Sequence, residues 1–280
     1  MSLNIANSIT SFYYNHGSFE NEQQKLAYSL AKTIIMNDKE NIAKVLEKSA
    51  NINGLIFEDE NNNYYTPLQY AVELQNKELV EMLINKGADV NIKFYDNSTL
   101  LHKLVTSPHE IDIEIAKVLI NHGFNVNALD NQGASPFYKM LASSTLLEGW
   151  DKNKIGLLNQ ILDQEISNFN VPDDYIGSIV HSAITSSLYQ PSDKEKDIYI
   201  AEAVKKMLDK GVHIDEKYET GSELEYALRL EQFSVAKLLI CNGASKDLVS
   251  EDYQHQIARL GEFNCDEQFT IQQPIQHEEL

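Results

Sequence analysis

A six-residue word, Thr66-Pro67-Leu68-Gln69-Tyr70-Ala71, returns four more times along the chain in weaker form. The copies are Thr99-Leu100-Leu101-His102-Lys103-Leu104, Ser135-Pro136-Phe137-Tyr138-Lys139-Met140, Ser178-Ile179-Val180-His181-Ser182-Ala183 and Ser222-Glu223-Leu224-Glu225-Tyr226-Ala227. Each is followed by a second apolar cluster, such as Val80/Leu83/Ile84 or Val235/Leu238/Leu239. A glycine turn then closes most units: Gly87 to Asn91, Gly123 to Asn127, Gly211 to Asp215 and Gly243 to Asp247. Gly87 and Gly123 lie 36 residues apart. Self-similarity at such a period marks an array of small units, each burying its apolar face on its neighbours.

Each residue type in the unit has a physical role. Thr66 or Ser135 is placed to cap a helix through its hydroxyl, and the proline that follows suits a first helical turn. Leu68 and Ala71 share a helical face, and the small alanine lets a second helix approach. The closing glycines stand where a helix ends in a left-handed conformation. Asn and Asp after them suit a tight hairpin.

In this combination the unit resembles the ankyrin repeat, whose period is about 33 residues and whose signature is Thr-Pro-Leu-His-x-Ala. The resemblance is strongest in the unit that begins near Asn62 and covers about 24–248. It implies an all-α solenoid of about six helix-turn-helix units with short β-hairpin loops. The repeats fall at about 24–54, 62–93, 94–129, 130–172, 173–216 and 217–248, and a partial cap helix occupies 250–261. Together 24–261 form one repeat domain. Residues 1–23 and 262–280 are polar and unpatterned, and are read as flexible ends.

The units are unequal. Extra residues stand between first and second helices around Ser107-Pro108-His109, Leu147 to Asn153 and Ser187 to Lys196. In the fourth unit Glu165 replaces the closing glycine, so irregular geometry is expected there.

Composition narrows the function. With 42 acidic and 23 basic residues the 280-residue chain carries -19, which repels phosphates and argues against nucleic acid as a partner. No apolar run approaches the about 18–20 residues that cross a bilayer, so membrane insertion is not expected. The two cysteines, Cys241 and Cys265, are too few for a disulfide scaffold or a structural zinc site. Both are read as unpaired, Cys241 as a small packing residue.

Candidate chemistry is sparse. His102 and His181 fall at the signature histidine and read as half-buried imidazoles bonded across neighbouring repeats. They sit two repeat steps apart, ~20 Å, too far to share a metal. The sequence has no Walker-type phosphate loop, no His-Glu-x-x-His and no Gly-x-Ser-x-Gly. No cofactor and no metal are expected. The repeats leave no room for a catalytic domain, and the chain is read as non-enzymatic.

The aromatics carry the sharpest signal. Tyr64, Tyr65, Phe94, Tyr95, Tyr175 and Tyr218 occupy hairpin-tip positions counted from the capping Thr or Ser. The resemblance implies that these positions and the first helices form a concave binding surface. Tyrosine supplies large contact area at low entropic cost. The competing reading is hairpin packing between neighbours. The lone tryptophan, Trp150, stands in the second insertion and offers a rival surface. The expected function is recognition of a protein partner, one with a basic patch, by a monomer in the cytoplasm. The low-arginine composition and polar tail are similar to ankyrin effectors of intracellular bacteria, which implies delivery into host cytoplasm. An intracellular adaptor or scaffold is the alternative, and an enzyme grafted into the inserted loops is a further one.

Overall fold

The computed structural model describes residues 22–48, 51–54, 57–58, 64–107, 109–144, 152–166, 169, 178–185, 194–214 and 221–265. The chain divides into two compact units, Met1–Asn125 and Val126–Leu280. The repeat pattern alone implies a single domain.

Among the described residues the first unit holds three helix pairs: α1 (Glu22–Ile35) with α2 (Lys39–Glu47), α3 (Pro67–Glu73) with α4 (Lys77–Asn85), and α5 (Leu100–Leu104) with α6 (Glu110–Asn121). First helices pack on first helices and second on second, α1 against α3 and α4 against α6. Leu68, Ala71, Leu79 and Leu83 are buried in the resulting interior. Two short strands, β1 (Phe57–Glu58) and β2 (Tyr64–Tyr65), pair antiparallel with Phe57 opposite Tyr65. One repeat later, a single bridge between Lys93 and Thr99 closes the equivalent hairpin.

The second unit repeats the scheme. It contains α7 (Pro136–Ser144), α8 (Lys152–Leu162), α9 (Ile179–Thr185), α10 (Lys194–Asp209), α11 (Glu223–Arg229) and α12 (Phe233–Cys241), then a 3₁₀ turn at Lys246–Leu248 and α13 (Glu251–Arg259). Here α7, α9, α11 and α13 pack in succession, and α8, α10 and α12 form the second row. The core is aliphatic, with Phe137 its largest fully buried side chain and Phe169 edge-on to it at 5.8 Å.

The capping expected from sequence is present. Thr66 Oγ1 accepts the Gln69 amide at 3.3 Å while Gln69 Oε1 accepts the Thr66 amide at 2.9 Å, a reciprocal capping box. Ser135, Ser178 and Ser222 hydroxyls accept the amides of Tyr138, His181 and Glu225. At the other end of α4, Gly87 has φ +94°, and the Ala88 amide bonds back to Leu83 O at 3.0 Å. That pair of features closes the helix as a Schellman motif. Glu165 breaks the pattern as expected: the Ile166 amide bonds Gln164 O, two residues back.

Successive hairpins are tied by side chains. Asn53 Oδ1 accepts the Asp89 amide at 2.8 Å, and Asn91 Oδ1 accepts the Asn125 amide at 2.7 Å. In the second unit Asn127 Nδ2 donates to Glu165 O at 2.8 Å.

The C-terminal end corrects the expectation from sequence. Cys241, the last residue of α12, forms a disulfide with Cys265, their Cα atoms 5.5 Å apart. Phe263 sits over the Lys237 ammonium at 5.5 Å. The cysteines are therefore paired, and Glu262–Cys265 belong to the folded end, although the sequence of 262–280 reads as a free tail. A chain segment of 24 residues had to fold back to bring the sulfurs together, and neither cysteine's local sequence encodes that.

Candidate interaction surface

The first unit brings three of the sequence-selected aromatics onto two neighbouring hairpins. Tyr65 ends β2 and directly precedes the Thr66 cap, so the start of α3 fixes its backbone. Phe94 and Tyr95 lead into a turn in which Asn97 takes φ +58°. The Phe94 amide donates to Ser98 O at 2.8 Å, and Asp96 Oδ1 accepts the Ser98 amide at 3.0 Å. A short polar side chain at Asp96 and an Asn in the left-handed region are what this turn needs.

These three rings do different things. Tyr65 and Phe94 meet edge to face at 6.5 Å and 77°, the offset that ring quadrupoles favour. Hairpin packing therefore accounts for that pair. Tyr95 is 92% exposed, the most exposed of the large apolar side chains described. Tyr64 lies in β2 opposite Glu58. Tyr175, Tyr218 and Trp150 lie outside the described residues, as do the centres of the second and third insertions.

Behind the hairpins the first helices add charge and a buried phenol. Lys103 on α5 pairs with Glu73 on α3 across one repeat. Tyr70 is buried on α3, and its burial raises the phenol pKa. His102 Nδ1 accepts the Thr99 amide at 3.2 Å and lies 2.7 Å from the Thr99 hydroxyl, which closes the cap of α5. His181 is buried edge-on to Tyr226 at 4.3 Å, and burial lowers its pKa, which favours the neutral ring.

The second unit carries a cluster that sequence reasoning missed. The Arg229 guanidinium lies 4.9 Å from the Tyr226 ring centroid and 5.2 Å from that of Tyr253. It also bonds Glu225 Oε1 at 3.0 Å, and Glu225 Oε2 accepts the Ser250 amide at 2.9 Å. Glu223, equally buried, accepts from the Ser178 hydroxyl at 2.9 Å. Two carboxylates are thus buried on one short helix because donors from α13, from the neighbouring repeat and from Arg229 reach them. The four-residue spacing of Glu225 and Arg229 was the one signal in the sequence.

Among the described residues no group of three or more His, Cys, Asp or Glu side chains is arranged to hold a metal ion. No helix of the described residues is long and apolar enough to cross a membrane.

The repeat unit and the paired helix rows define a class, and comparison with known proteins agrees. The ankyrin-repeat family model, written for three copies, matches residues 4–94. An ankyrin repeat protein of fowlpox virus is 31% identical over 93 residues, which is 33% of this chain and 20% of the relative. Mouse ankyrin repeat and SOCS box protein 6 is 30% identical over 138 residues, 49% of this chain and 31% of that protein. A solved ankyrin repeat domain from Acinetobacter baumannii covers 78% of this chain and 99% of its own, at 18% identity and TM-score 0.55. The chain spans only 12% to 26% of the length of the fowlpox virus relatives it matches.

Residues 4–94 thus match the ankyrin-repeat model, and the fold is that of an ankyrin repeat domain. Such repeats are in general protein–protein interaction modules, and their fold is generally non-enzymatic.

Proposed function

We propose that this chain is a non-enzymatic recognition module that holds one protein partner through the hairpin aromatics of its first unit. The observation that carries the reading is Tyr95: a ring 92% exposed, beside a Tyr65–Phe94 pair that fixes its neighbourhood. A large ring held on a short turn adds contact area with little ordering cost. The formal charge of -19 favours a partner with a basic patch, reached faster at low salt.

The test pairs Tyr65→Ala/Tyr95→Ala with Trp150→Ala, each first checked for unchanged melting. Titration against a captured partner should show a loss of about 2 kcal/mol or more for the tyrosine pair. If only Trp150→Ala weakens binding, the inserted loop is the surface and this assignment falls.

The role as a delivered effector rests on composition alone and gains nothing from these relatives; a cytoplasmic adaptor is the simpler alternative. A translocation reporter fused to the full and tail-deleted chain separates the two.

A further inference from the structure

The last helix is held by little besides its covalent tie. On α13, Glu251, Asp252, Gln254, His255, Ala258 and Arg259 are exposed, and Gln256 alone is buried. Tyr253 and Ile257 are half-buried, and buried Val249 and Leu260 flank the helix. Its polar attachments are partly solvated. Arg259 lies over Phe233 at 5.4 Å and pairs with Glu231 at 3.7 Å, Arg229 lies over Tyr253, the Ser250 amide bonds Glu225, and Gln254 Nε2 donates to Lys246 O and Val249 O. So little apolar burial gives a docked helix low local stability against opening.

Against this stands the Cys241–Cys265 bond. It joins the end of α12 to a point just beyond α13 and so encloses the 3₁₀ turn and the whole of α13 in one loop. Cys265 is exposed and Cys241 half-buried, so a reductant in solution reaches the bond from the Cys265 side. Both cysteines of the chain are in this bond, which leaves no third thiol to compete in re-forming it.

We propose that the disulfide is a redox-operated latch on the terminal helix: oxidised, it keeps α13 docked on α11; reduced, it lets α13 open. The reductant is an external dithiol. Its first thiolate attacks Sγ of Cys265, the Sγ–Sγ bond breaks, and Cys241 leaves as thiolate and takes up a proton. The second thiol displaces Cys265 as a thiol, and the reagent closes to its own disulfide, having given up two electrons and two protons. The latch is independent of which protein the hairpin aromatics hold.

Hydrogen exchange on the full chain, read by mass spectrometry with and without dithiothreitol, tests this. Closing a loop of this length restricts the opened state by roughly two orders of magnitude, so α13 amides should exchange about 100-fold faster after reduction. Amides of α11 and α12 should change no more than a few-fold, and replacing the dithiol by oxidised glutathione, which takes up the two electrons as the Cys241–Cys265 bond re-forms, should restore protection. Cys265→Ser, a change at an exposed turn, should match the reduced wild type and ignore the reagent. The latch is overturned if the untreated intact mass shows two free thiols, or if α13 is equally protected in both states. It is also overturned if exchange rises as much in α11 and α12 as in α13, which would make the bond a general staple.

Discussion

The Asp197 carboxylate caps the start of a helix in the next repeat: its Oδ2 accepts the Ser234 amide at 2.8 Å and its Oδ1 the Val235 amide at 3.3 Å. Burial nevertheless raises the Asp197 pKa above the ordinary carboxylate value, because desolvation outweighs the bonds to Ser234 and Val235 and the nearby Lys237. A folded pKa above the unfolded one means that the folded state binds the proton more tightly. The charged form therefore costs stability above the folded pKa, and that cost is relieved as pH falls through the window between the two values. Asp197→Asn removes this titration. Urea unfolding across pH 4 to 7 should show the wild type gaining on Asp197→Asn as the solution is acidified. A wild type that loses ground instead would mean that the capping bonds, not burial, set the pKa.

Gly87 isolates the energetics of a left-handed residue. Its φ is +94°, and an added Cβ would meet nothing within 4 Å. Gly87→Ala should therefore cost about 1 kcal/mol, all of it backbone conformation rather than crowding. A loss of about 3 kcal/mol or more in denaturant titration would contradict that.

At the Thr66 cap the hydroxyl, not the methyl, is the working group. Thr66→Ala strands the buried Gln69 amide and should lose about 1 kcal/mol, whereas Thr66→Ser should stay within about 0.5 kcal/mol of wild type. Equal losses for the two variants would assign the role to packing.

Truncation on either side of Cys265 isolates the contribution of the disulfide. A chain cut after Gly261 loses Cys265 and should have a C-terminal end about 3 kcal/mol less stable than one cut after Cys265. Under a reducing agent the two should nearly coincide, apart from the Phe263–Lys237 contact. A difference that survives reduction would place the stabilisation outside the sulfur bond.

What could be read from sequence came from local rules. Hydroxyl caps and closing glycines act within a few residues of themselves, so Thr66, Ser222 and Gly87 declared their structure directly. Features that depend on a distant partner were silent. Gln75 and Glu231 take φ +52° and +55° between paired helices, although neither residue type signals a turn. The fold sets them there, Gln75 with a bond from Nε2 to Asp112 Oδ2 at 3.0 Å and Glu231 with Arg259 beside it. Nothing local to Glu223 and Glu225 marks them as buried, because their donors come from elsewhere in the chain. The same holds for Cys265, whose partner lies 24 residues back. For the candidate surface, sequence position selected Tyr65, Phe94 and Tyr95 together. Only geometry separated the packed pair from the exposed ring.

The sulfur bond also changes what it means to break this chain. Residues 242–264 form part of a covalent ring, and Lys246 and Arg259 are the only trypsin sites within it. A cut at either adds one water to the mass but releases no fragment until the bond is reduced. Peptide-backbone continuity and molecular integrity thus come apart at this end. A nicked molecule would keep all its atoms together and run as a single species on a non-reducing gel.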